Sequence, residues 1–316
     1  MSKKTVSIII PFYGQTEAEL AIPLGSINNQ IGIDFSKVDV HLVNDGGKPV
    51  DPALFKVFTN LELQVHDLPE NVGPGLARQY GIDHSEGQYV MFVDSDDLLY
   101  NAGSLLDFFN IVRAGQHQMI LATIVSQLKQ GYQTHRWNSY FAKNSAYGKW
   151  FNRSYLNKLQ LRFQDLRVFE DSYFASLSVE LSTDYLSIEN VSYLQNYRED
   201  STMNRGKHFI LRQGHLFVRE NRLKLEKIRE VAPERLANYL ELTLVGVYLF
   251  QKQYVPMRKD LFWEEMRLLA KEFPYDYETN FNKLQTIANL QSNAQGSQYY
   301  KVDVSGLREF VRKVIE

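Results

Sequence analysis

Three carboxylates fall within four positions of this chain, at Asp94, Asp96 and Asp97, directly after the apolar run 89–93. Five apolar residues in a row predict a strand buried on both faces. Carboxylates at the end of such a strand repel one another and lose solvation, so they need a cation or a strong donor nearby. Because Mg²⁺ and Mn²⁺ bind through one or two carboxylates plus substrate phosphates, Asp94 and Asp96 predict a metal-bridged phosphate site. Asp97 is more typical of a cap on the next helix.

Three further positions could contribute to a nucleotide site. Asp45 lies in the turn sequence 44–47 after the predicted strand 38–43. Such an Asp is usually only a turn former, but at a strand end it could accept the imide N–H of uracil or thymine. Tyr13 could stack on that base or simply pack. Arg78 lies in the first turns of a predicted helix, where it could pair with Asp94 or a phosphate, or lie on the surface.

A third acidic cluster, Glu170-Asp171, is a candidate general base. Acidic residues also suit a helix start, because they complement its dipole. As a functional pair, however, two adjacent carboxyl groups flanked by Phe169 and Phe174 could raise the pKa of one of them toward the working range. Arg205 and His208 belong to a basic loop, which is either a mobile lid over a diphosphate or a solvated loop.

The surrounding elements alternate between strand and helix patterns in the first half of the chain. Strands spaced by helices predict right-handed βαβ units, a mostly parallel sheet and an α/β fold, in which ligands bind outside the carboxyl ends of the strands. Polar clusters at 11–13, 45 and 94–97 all fall at such ends. The predicted elements of residues 1–207 are strands at 6–10, 38–43, 61–65, 89–93 and 119–126, and helices at 17–30, 76–84, 105–114, 148–159 and 172–181.

The last hundred residues have a different character. Long, charged, amphipathic segments at 215–231, 233–253 and 260–273 predict a helical region, followed by a loop at 291–298 and a terminal helix at 305–315. The predicted domains are therefore 1–207 and 208–316. The helical region could bind an acceptor, self-associate or lie on a membrane. The cations Lys224, Lys227 and Arg229 could contact anionic lipid, although a solvated face is the simpler interpretation.

The bulk composition excludes several classes of protein. A net charge of −2 argues against a nucleic-acid protein held by a basic surface. The absence of cysteine excludes disulfides, thiolate metal sites and cysteine nucleophiles. The apolar run 6–10 is too short for a signal peptide or a membrane span. A cytoplasmic protein is the expectation, with peripheral membrane contact left open.

Six segments in order resemble the motifs of family 2 glycosyltransferases, which have the GT-A fold. The resemblance extends from residue 5 to about residue 205, and each motif is weak singly but specific in combination. Arg205 and His208 resemble a basic pair of some members that build bacterial cell-surface and wall polymers. The matching segments are VSIIIPFY (6–13), VNDGG (43–47), NVGPGLARQYG (71–81), VDSDD (93–97), GKWFNRSYL (148–156) and ED (170–171).

This resemblance implies a metal-dependent, inverting transfer of a hexosyl or N-acetylhexosaminyl group. The donor would be a nucleoside diphosphate sugar, expected to be a UDP-sugar, and the acceptor a glycan, polymer or lipid-linked hydroxyl. Asp171 would be the catalytic base with Glu170 supporting it, and Mn²⁺ or Mg²⁺ would be held by Asp96, Asp94 and His208. The nucleotide-sugar-binding residues would be Pro11, Tyr13, Asp45, Arg78, Asp94, Ser95 and Arg205.

Two alternatives come from other classes of protein. A nucleotidyltransferase could use a similar sheet and metal carboxylates, but the segment 11–14 lacks the basic residue of its phosphate loop. A non-catalytic sugar-binding scaffold could keep the fold, yet the chain retains Asp94, Asp96 and Asp171. Asn44 and Gln79 depart from the family pattern, which has Asp and Asn at those positions, so donor choice could differ.

Overall fold

The computed structural model describes residues 4–199, 211–295 and 297–315. Of residue 315 it describes the backbone only. The chain divides into two compact units, which separate between Arg198 and Glu199. The domain boundary predicted at 207/208 lies in residues 200–210, outside the described ranges, and stays a prediction.

The first unit is built on a mixed sheet whose described strands are ordered β3-β2-β1-β4-β8-β6-β9-β5, with β7 pairing to β6. The half formed by β3, β2, β1 and β4 is parallel, and both parallel and antiparallel pairs occur in the other half. The strands are β1 Val6–Phe12, β2 Val38–Asn44, β3 Leu63–Asp67, β4 Tyr89–Phe92, β5 Leu98–Leu99, β6 Met119–Gln127, β7 Tyr132–His135, β8 Lys149–Asn152 and β9 Tyr185–Gln195.

Helices connect and flank these strands. The first begins at a capping box, in which the Thr16 hydroxyl accepts from the Glu19 N–H and the Glu19 carboxylate accepts from the Thr16 N–H. The second begins with Pro74, whose fixed φ suits a first turn. The helices of this unit are α1 Glu17–Asn28, α2 Pro74–Asp83, α3 Ser104–Ala114, α4 Tyr140–Asn144, α5 Arg153–Leu159 and α6 Glu170–Leu181.

The parallel half confirms the predicted α/β core. Every residue of β1, β2 and β4 is buried, as expected for strands covered on both faces. In register, Pro11 of β1 lies beside Val43 of β2, and Ile9 lies beside Phe92 of β4. The carboxyl ends of these three strands therefore meet at one rim of the sheet.

Two local predictions were wrong. Asp97 does not cap a helix, because Leu98–Leu99 pairs with β9 as a short strand and α3 begins only at Ser104. The segment 148–159 is not one helix, because β8 forms first, between β4 and β6. Trp150 and Phe151 are buried on opposite faces of that strand. Sheet pairing thus overrides helical spacing here.

The described part of the second unit is helical, as predicted. Its core includes Val218, Leu244, Met266 and Leu284. The loop predicted at 291–298 was partly wrong, because a helix extends to Asn293 with apolar residues buried along one face. The helices are α7 Gly214–Val231, α8 Leu236–Gln253, α9 Lys259–Glu272, α10 Tyr277–Asn293 and α11 Leu307–Ile315.

The cations considered for lipid contact have partners within this unit. Lys224 and Lys227 each lie 2.6 Å from a carboxylate of their own helix, that of Glu220 and Glu230 respectively, and Arg229 lies over the Phe273 ring. Peripheral membrane contact and self-association stay predictions. No helix in the described part of the chain combines the length and apolar character needed to cross a membrane.

Candidate active site

The rim formed by β1, β2 and β4 brings together residues that are distant in sequence. The Asp45 N–H donates to the Phe12 carbonyl at 2.8 Å, so the turn after β2 lies against the end of β1. Tyr13 follows directly, with 59% of its surface exposed. Val93, at the end of β4, donates to Ile9 of β1 at 3.1 Å, which places Asp94 at the same rim.

Asp45 organises the loop that leads into α2. Its carboxylate accepts from the Val72 N–H at 2.7 Å and from the Gly73 N–H at 3.0 Å. Burial raises the pKa of Asp45, and these two backbone donors act in the opposite direction. Since a carboxylate has about four lone-pair sites, it could also accept a base N–H. The base-binding role of Asp45 and the stacking role of Tyr13 stay predictions.

Arg78 joins two of the acidic clusters. Its guanidinium is buried on α2, with one Nη 2.6 Å from Asp94 and the other 3.1 Å from Glu170. Burial would lower the pKa of Arg78, but Asp94, Glu170 and Asp171 outweigh it and raise that pKa overall. The structure therefore selects the pairing with Asp94 among the alternatives for Arg78. The end of β4 and the start of α6 are linked through one cation.

The local sequence makes this link possible. A Cβ at Gly75 would lie 2.8 Å from Cγ of Glu170, so only glycine lets α2 approach the start of α6 this closely. Phe169, directly before Glu170, has φ +67°, a left-handed conformation that non-glycine residues rarely adopt. This turn begins α6 at the Glu170-Asp171 pair, beside Arg78.

Asp171 has the electrostatics of a base. It is half-buried, and its carboxylate accepts from the Ser172 N–H at 2.7 Å. Burial first, and then the neighbouring Glu170, raise the pKa of Asp171 to about 7, against the opposing effect of Arg78. Burial also raises the pKa of Glu170. A carboxylate with a pKa near neutrality can both take and hold a proton at working pH.

Asp94 and Asp96 remain accessible at the rim. Their side chains are 27% and 31% exposed, and burial followed by the charge of Asp94 raises the pKa of Asp96. Arg198, which sequence analysis missed, places a guanidinium nitrogen 3.1 Å from Asp96. The only sign of Arg198 in the sequence is an Arg shortly after the strand β9, which the sequence analysis did not predict.

Asp94 and Asp96 are the described residues that could hold a divalent cation. The charge of Asp94 is one cause of the raised pKa of Asp96, and a cation beside both carboxylates would act against it. The described residues hold no group of three or more His, Asp or Glu side chains arranged for a metal. Two carboxylates are nevertheless what a metal that also binds substrate phosphates requires.

Other predicted site residues have simpler surroundings. Pro11 and Ser95 are buried, Pro11 within β1 and Ser95 between the two rim carboxylates. Their roles in nucleotide binding stay predictions. Arg205 and His208 lie outside the described residues, so their predicted roles are untested.

Lys149 is a second residue whose role sequence analysis missed. Its buried Nζ donates to the carbonyls of Ala142, Ser145 and Tyr147. Burial lowers the pKa of Lys149 to about 7, whereas nearby Asp171 acts to raise it. The three carbonyls match the three donors of an ammonium group and fix the chain between α4 and β8. The lysine was visible in the GKWFNRSYL motif, but nothing in the sequence indicated its acceptors.

Comparison with known proteins identifies the family. The model of glycosyl transferase family 2 matches residues 7–185, more than half of the chain. The chain therefore belongs to glycosyl transferase family 2, which confirms the predicted family. EpsH of Bacillus subtilis, a putative glycosyltransferase, is 25% identical over 197 residues, covering 55% of this chain and 56% of EpsH. The chain thus spans about half the length of that relative.

Solved structures confirm the GT-A-type fold. TarS 1–349 of S. aureus superposes with a TM-score of 0.69 at 18% identity, covering 98% of this chain and 90% of TarS 1–349. TarS has also been solved with UDP and with UDP-GlcNAc. PcManGT, a mannosyltransferase of Pyrobaculum calidifontis solved with GDP-Man and Mn²⁺, gives a TM-score of 0.56 at 14% identity, covering 99% of this chain and 86% of PcManGT. At these identities the likeness concerns the fold alone.

Proposed function

We propose that this protein transfers a hexosyl or N-acetylhexosaminyl group from a UDP-sugar to an acceptor hydroxyl, with inversion at the anomeric carbon. The observation that carries the proposal is the buried Arg78 guanidinium between Asp94 and Glu170. A donor held at Asp94 and a base held beside Glu170 are thereby kept in one fixed arrangement. Such fixed positioning is a large part of catalysis in group transfer.

The donor half of the site supports a nucleoside diphosphate sugar. Tyr13 is exposed at the rim beside Asp45, which suits a stacked base. The complexes of TarS with UDP and UDP-GlcNAc favour uridine as that base. The GDP-Man complex of PcManGT shows that a protein with this fold can also bind a guanine nucleotide, so the donor is to be identified by binding measurements.

The acceptor half supports base catalysis by Asp171. The Asp171 carboxylate takes the proton of the acceptor hydroxyl as that oxygen attacks the anomeric carbon. Attack comes from the face opposite the diphosphate, the new C–O bond forms as the old one breaks, and UDP leaves with the electron pair. Glu170 is paired with Arg78 and orients this end of the site. One base suffices for this reaction, unlike the carboxylate pairs of glycosidases.

Asp96 and Asp94 would hold Mn²⁺ or Mg²⁺. When bound, the metal supplies Lewis-acid stabilisation of the leaving diphosphate. The Mn²⁺ complex of PcManGT supports a divalent ion. A glycan, polymer or lipid-linked acceptor is proposed from the family resemblance.

Removing the metal or its main ligand is expected to abolish nucleotide affinity. We expect wild-type protein to give a heat of UDP binding in calorimetric titrations with Mn²⁺, and to lose most of this binding heat in EDTA. Asp96→Ala should lose it even with Mn²⁺, because a diphosphate facing Asp94 without a cation is repelled. A panel of UDP-, GDP- and TDP-sugars, titrated in the same way, identifies the donor.

Asp165→Ala is the matched control, because Asp165 is an exposed aspartate of the same unit. It should bind like wild type. A wild-type protein that binds none of these nucleotides with Mn²⁺ present would contradict the proposed function. Preference for nucleoside triphosphates would instead favour the nucleotidyltransferase.

A further inference from the structure

We infer that Tyr193 and Asn196, at the end of β9, are positioning residues that hold the backbone of the Asp94–Asp96 segment in its metal-binding geometry. The inference rests on the proposed function, because it concerns the metal that Asp94 and Asp96 would hold. Neither residue carries a charge, and neither stood out in the sequence. Their importance comes from where their hydrogen-bonding atoms lie.

Tyr193 is the first anchor. Its side chain is fully buried, and its hydroxyl accepts from the Asp94 N–H at 3.0 Å while donating to Asp97 Oδ2 at 2.8 Å. The hydroxyl is thus used in both directions by two residues of the carboxylate segment. The ring is fixed as well, because it stacks on Tyr147 with centroids 4.6 Å apart and planes at 11°.

Asn196 is the second anchor. Its N–H donates to Asp97 Oδ1 at 2.9 Å, and its Nδ2 donates to the Asp96 carbonyl at 2.6 Å. Both oxygens of the buried Asp97 carboxylate are therefore bound by β9 and the residue after it. This explains why the third carboxylate of the cluster is present at all, since it is an anchor rather than a ligand.

Together these contacts form one chain of hydrogen bonds along the carboxylate segment. The chain runs from the Asp94 N–H through the Tyr193 hydroxyl, the Asp97 carboxylate and Asn196 to the Asp96 carbonyl. The backbone N–H of Asp94 and the backbone carbonyl of Asp96 are hydrogen-bonded, whereas the carboxylates of both residues stay partly exposed. Fixing ligands from an outer set of hydrogen bonds raises metal affinity by reducing the reorganisation that binding requires.

The test removes one hydroxyl at a time. Tyr193→Phe keeps the stacked ring but frees the Asp94 N–H and Asp97 Oδ2. We expect its affinity for Mn²⁺ in the presence of UDP, measured from the free-Mn²⁺ electron paramagnetic resonance signal, to fall about 10- to 100-fold. In EDTA the variant, like wild type, should bind little UDP. In activity assays the concentration of Mn²⁺ for half-maximal rate should rise, with kcat at saturating Mn²⁺ largely retained.

Tyr147→Phe is the matched control, because it removes the hydroxyl of the other ring in the same buried stack. The hydroxyl of Tyr147 forms its hydrogen bond with the Ser145 side chain. It should lower thermal stability similarly and leave Mn²⁺ affinity unchanged. Asn196→Ala gives a second measurement if Tyr193→Phe folds poorly, and it too should weaken Mn²⁺ binding. Wild-type Mn²⁺ affinity in both Tyr193→Phe and Asn196→Ala would overturn the inference. Failure of wild-type protein to bind Mn²⁺ with UDP would instead contradict the proposed function on which it rests.

Discussion

Asp171→Asn is expected to abolish sugar transfer and to leave nucleotide binding intact. The amide keeps the size and the Ser172 contact of the carboxylate but cannot take a proton from the acceptor hydroxyl. Loss of a general base lowers the rate by about 10²- to 10⁴-fold. The measurement is kcat for UDP release from the donor that the calorimetric panel identifies, with the Kd of UDP measured in parallel.

Two comparisons make this result specific. Glu180→Gln removes an exposed carboxylate at the other end of α6 and should transfer at the wild-type rate. In the wild type, kcat/KM should fall as the pH drops through about 7, because Asp171 acts only when ionised and its pKa is raised to about 7. A rate in Asp171→Asn equal to that of wild type would eliminate Asp171 as the base.

Arg78→Met is expected to have the largest effect on stability, and to abolish activity as well. The guanidinium is the shared partner of Asp94 and the buried Glu170, so its removal leaves Glu170 without its counter-charge. Breaking a buried ion pair by removing one partner costs about 3–5 kcal/mol. The free energy of unfolding, measured by urea titration at neutral pH, should fall by that amount. The loss should shrink at acid pH, where the carboxylates protonate.

Arg162→Met provides the matched control for this measurement. Arg162 pairs with Asp83 near the other end of α2, but both side chains are largely exposed. Such pairs contribute about 0–1 kcal/mol, so this variant should unfold almost like wild type. If Arg78→Met and Arg162→Met lost equal stability, the bridge at Arg78 would have no special role.

Much of the donor half of the site could be predicted from sequence, for a physical reason. The strands β1 and β4 are almost wholly apolar, and β2 carries polar residues among its apolar ones, but all three are buried and each is followed directly by polar residues. Parallel strands must end at the same rim, so Tyr13, Asp45 and Asp94 could be placed together before any coordinates were known. The Arg78–Asp94 pair was one of the alternatives considered.

The supporting contacts could not be predicted, because they depend on pairings between distant segments. The sequence of residues 148–152 does not indicate that they form a strand between β4 and β6. The carbonyl acceptors of Lys149 therefore could not be predicted. The strand β9 has exposed and buried residues without clean alternation. Sequence analysis therefore missed Tyr193 and Asn196, although both form hydrogen bonds with the Asp94–Asp97 segment. The local sequence predicts a helix cap at Asp97, because it gives no sign of the partners of Asp97 at β9.

The most direct test of the central claim uses water as the acceptor, because no acceptor need be known. Wild-type protein, the donor chosen by the calorimetric panel and Mn²⁺ are followed by proton NMR. We expect slow release of UDP, with the free sugar appearing first as the anomer opposite to that of the donor, no release in EDTA and none in Asp171→Asn. Release with the donor's own anomeric configuration, or undiminished release in Asp171→Asn, would contradict an inverting transfer that relies on this base.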